Sequence, residues 1–275
     1  MNGPEIDAEI VLHYEQDYDE SSRITNGMGE LELVRTREII ERHLPPGPLS
    51  VLDIGGATGV HARWLAERGC RVDLVDPMPR HVTAARALAD EGLAVTAELG
   101  DARHLLQSTA TYDAALLLGP LYHLTDRADR LRAWREALRV VKPGGFVFAA
   151  AVCRFASLLE SLASGTLLDP DFRAIVDQDL RDGQHRNPER RRSWFTTAYF
   201  HHPTELGAEA VEAGAELVEV LGVEGLAALL PQLETQWDDP RGREMILDAA
   251  RAIESEPTLL GLSPHLLMVA RRPVG

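Results

Sequence analysis

Val51-Leu52-Asp53-Ile54-Gly55-Gly56-Ala57-Thr58-Gly59 compresses a strand and a turn into nine residues. Val51, Leu52 and Ile54 form a short apolar run, the pattern of a strand buried on both faces of a parallel sheet. Three glycines follow within five positions, and glycine lets backbone turn sharply and lets a ligand approach it closely. His61 to Arg68 then supplies helix formers, and Gly69 stops them. Strand, glycine turn and helix together aim backbone N–H groups and a helix N-terminus at a crevice. Taken alone, the glycine turn also fits a tight strand–helix connection with no ligand.

The next residues narrow the reading. Arg71 to Val75 forms a second strand, and Asp76-Pro77 ends it, because proline cannot continue a ladder. A carboxylate at that tip can accept both hydroxyls of a ribose lying across the glycine turn. A nicotinamide-dinucleotide oxidoreductase wants G-x-G-x-x-G, whereas Ala57 and Val60 occupy its third and sixth positions.

Asp53-x-Gly55-x-Ala57-x-Gly59, followed by Asp76 and by Gly100-Asp101-Ala102, resembles the class I S-adenosylmethionine-dependent methyltransferases of the bacterial small-molecule type. That family usually carries Gly where this chain has Ala57. The resemblance runs from about Ser50 to Ala151. It implies a Rossmann-like α/β fold with a seven-stranded, mostly parallel sheet, helices on both faces, an antiparallel last hairpin and S-adenosylmethionine as cofactor. It further implies that Asp101 receives the adenine amino group, although a turn aspartate at this position also caps the following segment. The expected cofactor residues are Asp53, Gly55, Gly56, Ala57, Gly59, Asp76, Pro77, Asp101 and Ala102, with Arg23 either reaching the methionine carboxylate or standing exposed on the surface.

Tyr112 to Leu118 reads as the fourth strand, and Gly119-Pro120-Leu121-Tyr122-His123 as the loop that faces the transferred methyl, because ligands of open parallel sheets sit beyond the carboxyl ends of the strands. Thr125 is expected to cap the next helix, whose Leu131, Trp134, Leu138 and Val141 form a core stripe. Lys142-Pro143-Gly144-Gly145 ends that helix, and Phe146 to Val152 is the fifth strand.

Ahead of the first strand, Tyr14 and Tyr18 share a helical face. They either pack this arm on the body or form a lid with a phenol near the methyl, as the resemblance implies. Residues 153–202 break the strand–helix alternation and read as a helical cap inserted after the fifth strand. The cap ends in Trp194-Phe195-Thr196-Thr197-Ala198-Tyr199-Phe200-His201-His202. Some of these rings anchor the cap, and Tyr199, His201 or His202 is expected to line the acceptor pocket. Two adjacent histidines are too few donors for a metal site, and Cys70 and Cys153 form no zinc cluster.

The expected organisation is therefore an arm or lid over 1–49, a cofactor-binding core over 50–152, a cap over 153–202, and the rest of the core over 203–275. The formal charge of −15 repels phosphate backbones, so nucleic acid is a poor partner. No run is long enough to span a bilayer, and the chain is expected in the cytoplasm. The expected function is methyl transfer from S-adenosylmethionine to O, N or C of a small acceptor, such as an indole or phenol of specialised metabolism. Tyr122 and His123 face that acceptor from the body and His201 from the cap, with Tyr14 and Tyr18 as alternative bases. The rival readings are a nucleoside-binding regulatory protein without turnover and, less favoured, an NAD(P)-dependent oxidoreductase.

Overall fold

The computed structural model describes residues 8–12, 27–191, 194–230 and 232–275. Among them, α1 (Ala8–Leu12) and α2 (Gly27–His43) precede β1 (Ser50–Ile54). The first half of the sheet follows as α3 (Val60–Glu67), β2 (Arg71–Asp76), α4 (Pro79–Asp90) and β3 (Val95–Leu99). The chain then crosses to β4 (Tyr112–Leu117), α5 (Pro120–His123), α6 (Arg127–Val140) and β5 (Val141–Val152). The order in the sheet is β3-β2-β1-β4-β5, completed by β9 (His265–Arg271) and β8 (Glu216–Gly222). β9 runs antiparallel to both of its neighbours, and the other pairings are parallel.

This topology is the Rossmann-like sheet expected from the sequence. The chain leaves β1 in one direction toward β3 and in the other toward β5, so the crevice opens between β1 and β4. Side chains alternate across the sheet into two cores. Leu52, Ala115, Leu117, Leu266 and Met268 meet Trp134 and Leu138 of α6 on one face. Val51, Ala114, Leu116, Leu267 and Val269 meet Leu65 and Val82 on the other. Ile39 and Ile40 of α2 enter that second core, so this helix is built into the body. Its preceding turns, at Leu31, pack against Trp237 and Leu247 from α10 (Leu233–Asp238) and α11 (Pro240–Ile253).

Three local expectations are corrected. The segment after β4 is a short helix rather than an open loop, and Pro120 begins it, where a missing N–H costs nothing. Asp126, not Thr125, caps α6, its carboxylate accepting from the Ala128 N–H at 2.7 Å. β5 starts at Val141, directly after α6, and absorbs Pro143-Gly144-Gly145 as a bulge opposite Tyr112–Ala114. A side-chain carbon on Gly145 would lie 2.6 Å from the Asp113 carbonyl, so glycine is what lets the strands stay paired there.

After β5 come α7 (Ala156–Ser164), α8 (Pro170–Asp182) and a two-residue hairpin of β6 (Gln184–His185) with β7 (Ala198–Tyr199), before α9 (Pro203–Glu212) returns to the sheet. Phe200 stacks on His185 at 4.6 Å and packs with Val152, Ala156 and Ala198, which anchors the hairpin to the end of β5. Among the described residues no helix is long and apolar enough to cross a membrane.

Candidate active site

A cavity of about 290 Å³ opens at the carboxyl ends of β1, β2 and β4. Its floor is bare backbone. A carbon added to Gly56 would lie 2.6 Å from Asp53 Cγ and 2.7 Å from Leu74 Cδ1, and one on Gly55 would lie 2.7 Å from the Pro120 ring. The glycine turn and α5 are thus packed face to face, and neither glycine can carry a side chain without opening the cleft. Ala57 holds a left-handed backbone angle of 47°, a conformation that costs alanine about 1 kcal/mol.

Asp76 stabilises that turn. Its carboxylate accepts the Ala57 N–H at 3.0 Å and the Met78 N–H at 2.8 Å, and it lies 3.1 Å from His81 Nδ1. Asp53 behaves differently. It is 1% exposed and its Oδ2 has no hydrogen-bond partner. Burial first, and then the charge of Asp76, push its carboxyl up to about 7. A buried polar atom without a partner is rare, and here it borders the cleft, where a bound group can satisfy it. Asp101 bonds the Arg103 side chain at 2.6 Å, and Arg103 also reaches Asp129 at 2.7 Å.

The structure therefore gathers Asp53, Gly55, Gly56, Ala57, Asp76, Pro77, Asp101, Ala102, Tyr122 and His123 around one cleft. Gly59 is not in the lining; its backbone angle of 88° turns the chain into α3, and a carbon there would meet Leu88 at 2.8 Å. Tyr14, Tyr18 and Arg23 lie outside the described residues. The expectation for Tyr199, His201 and His202 is not met. His201 is wholly buried, and it bridges to the edge of β5, donating its backbone N–H to the Val152 carbonyl at 2.8 Å. Its Nε2 lies 3.4 Å from Glu209, and burial holds its pKa below the ordinary histidine value. Tyr199 donates to Glu205 at 3.1 Å, and His202 caps α9.

Behind the cleft wall, Arg130 is 1% exposed and binds Glu209 at 2.7 Å. It also donates to the carbonyls of Leu124 and Thr125 at 2.9 and 3.1 Å, directly after His123. Burial alone would raise the Glu209 carboxyl, but hydrogen bonds from His201 and Arg130 outweigh it and hold the group at about 2. His123 packs edge-on to Tyr122 at 4.6 Å and stacks on Phe195 at 6.0 Å. The sequence reading missed Glu32 and Thr36 of α2, His61, His81 and Arg103, all of which line the cleft. Arg103, two residues beyond Asp101, carried the one local signal, because a cation at that spacing folds back onto a turn carboxylate.

A family model described as a methyltransferase domain matches residues 51–145. A ubiquinone biosynthesis O-methyltransferase from Methylocella silvestris is 35% identical over 132 residues, covering 43% of this chain and 50% of that protein. One from Pseudomonas aeruginosa is 30% identical over 186 residues, covering 63% and 67%. Alignments with the first such relatives span 50% to 66% of their length. An S-adenosylmethionine-dependent methyltransferase from Methanosarcina mazei has the same fold, with a TM-score of 0.59 at 17% identity over 86% of this chain and 98% of that one.

Proposed function

The chain belongs to the class I S-adenosylmethionine-dependent methyltransferases, and from that premise we propose that it transfers a methyl group to a small aromatic acceptor, with oxygen as the favoured atom. The observation that carries this reading is the cleft's acidic, glycine-floored form: Asp53, Asp76 and Asp101 stand at successive strand ends around bare backbone. A cationic sulfonium cofactor matches that charge. In this assignment Asp76 holds the ribose hydroxyls, Asp101 the adenine amino group, and the free oxygen of Asp53 the ammonium of the methionine end.

When bound, the cofactor supplies an electrophilic methyl on sulfur, so the protein's task is to hold, align and dehydrate. Alignment is worth up to roughly 7–11 kcal/mol in well-oriented cases. Tyr122, His123 and Phe195 form an aromatic wall beside the turn after β4, suited to a flat acceptor. His123 is positioned to take the proton that a hydroxyl loses, and histidine titrates near cellular pH. The segment 153–202 acts as a cap that closes the acceptor side. The names of the relatives favour oxygen over nitrogen or carbon. The two buried free cysteines fit a cytoplasmic setting, and the aromatic wall fits a phenol or indole of specialised metabolism.

The test is transfer of labelled methyl from S-adenosylmethionine across a panel of phenols, catechols, indoles and amines. Turnover on a hydroxylated aromatic supports the reading. Nucleoside binding with no transfer to any member would instead favour a ligand-binding role without turnover.

A further inference from the structure

Three side chains from distant parts of the chain meet beside the acceptor half of the cleft. Glu32 comes from α2, Glu224 from the turn after β8, and His265 from the first residue of β9. One donor atom from each lies within 4.8 Å of the other two. His265 Nδ1 is 2.5 Å from Glu224 Oε1 and 3.9 Å from Glu32 Oε2. His265 pairs with Val152 at the carboxyl end of β5, and Glu32 shares the cleft wall with Leu33 and Thr36. The cluster therefore stands beyond β4, on the opposite side from the strand ends that carry Asp76 and Asp101.

We propose that Glu32, Glu224 and His265 form a binding site for one divalent transition-metal ion, of the Mn²⁺ or Zn²⁺ class. Two carboxylates and one imidazole are donors that such ions accept, and three protein ligands leave a position open for a further oxygen. Metal–ligand distances of about 2.1 Å place tetrahedral ligands about 3.4 Å apart. The two separations to His265 bracket that value, and closure needs a shift of roughly half an ångström to one ångström. Glu32 is a partly exposed side chain on a helix face and can supply most of it.

The surroundings fix one ligand in advance. Glu224 is wholly buried, and its Oε2 accepts from Ser263 Oγ at 2.8 Å and from the His265 N–H at 3.1 Å. Those bonds orient the carboxylate so that Oε1 is the atom directed at the cluster. Such supporting hydrogen bonds typically change metal affinity 10–100-fold when removed. Glu32 lines the cleft, so the site adjoins it. The role of the ion, though not its binding, rests on the proposed methyl transfer: it would hold the acceptor oxygen and favour its deprotonated form.

The experiment uses the full chain, stripped with a chelator and dialysed. Mn²⁺ is titrated and followed by electron paramagnetic resonance, and Zn²⁺ by calorimetry against a competing chelator. One ion per chain is expected. Glu32→Gln should weaken binding at least 10-fold, Ser263→Ala about 10-fold, and His265→Gln 100-fold or more. Far-ultraviolet circular dichroism and the unfolding midpoint of each ion-free variant report that the fold is intact. Because Glu32 is partly exposed, its variant decides the matter even if the His265 variant fails to fold. Failure to take up one ion per chain, or equal uptake in Glu32→Gln and the parent, overturns the proposal. Uptake without methyl transfer to any acceptor leaves the site standing and removes only its assigned role.

Discussion

Replacing Asp53 with asparagine should change how stability depends on pH, by an amount the structure sets. The carboxyl is buried beneath Gly56 with one oxygen unpartnered, and its pKa rises from 3.8 to about 7 through burial and then through Asp76. A raised carboxyl pKa means that the folded chain holds the proton more tightly than the unfolded chain. The contribution to stability is greatest below the unfolded value, and it is lost as pH climbs from 3.8 toward about 7. Each unit in that window is worth about 1.4 kcal/mol. Between pH 5 and pH 8 the cofactor-free parent should lose roughly 2–3 kcal/mol relative to Asp53→Asn, which keeps the shape and cannot ionise. Chemical denaturation of both proteins at pH 5, 6, 7 and 8 measures this difference. Saturating S-adenosylhomocysteine, whose ammonium would face the ionised form, should flatten it. Parallel stability curves for the two cofactor-free proteins would refute the reasoning.

His123→Gln should lower turnover on the identified acceptor roughly 10²–10⁴-fold while leaving cofactor affinity unchanged, as read from kcat and from calorimetry. Arg130→Met leaves Glu209 buried without its main partner, and should cost about 3–5 kcal/mol in denaturant unfolding. Burial raises the Cys153 thiol to about 11, so at pH 8 a thiol reagent should label it only as the protein unfolds, which mass spectrometry of labelled peptides can follow.

The gathering of Asp53, Asp76 and Asp101 at one cleft was legible because it is set locally. Asp53, Asp76 and Asp101 each close a short apolar strand, and the glycine turn sits between the first strand and its helix, so spacing alone brings them to one edge of the sheet. The meeting of Glu32, Glu224 and His265 was not legible for the opposite reason. Glu32 stands 192 residues from Glu224, and Glu224 stands 41 from His265, so only the antiparallel return of β9 beside β5 unites them. His201 was misread because its place near the end of segment 153–202 says nothing about which way a ring points. Its backbone joins the edge of β5, and that register turns the imidazole toward Glu209 and away from the cleft. Asp126 displaced Thr125 as a helix cap by a single residue, since both side chains can accept the same N–H groups. In α2, Ile39 and Ile40 are apolar in the sequence and enter the core, while Glu32 and Thr36 on its polar side line the cleft.

The most direct test of the central claim is calorimetric titration of the full chain with S-adenosylhomocysteine, beside the Asp76→Ala variant. The account predicts one bound molecule per chain, and a loss of about 1.5–3 kcal/mol in the variant, because charge-assisted hydrogen bonds to the ribose are removed. NAD should not bind. Absence of binding to the parent chain, or equal affinity in parent and Asp76→Ala, would contradict it.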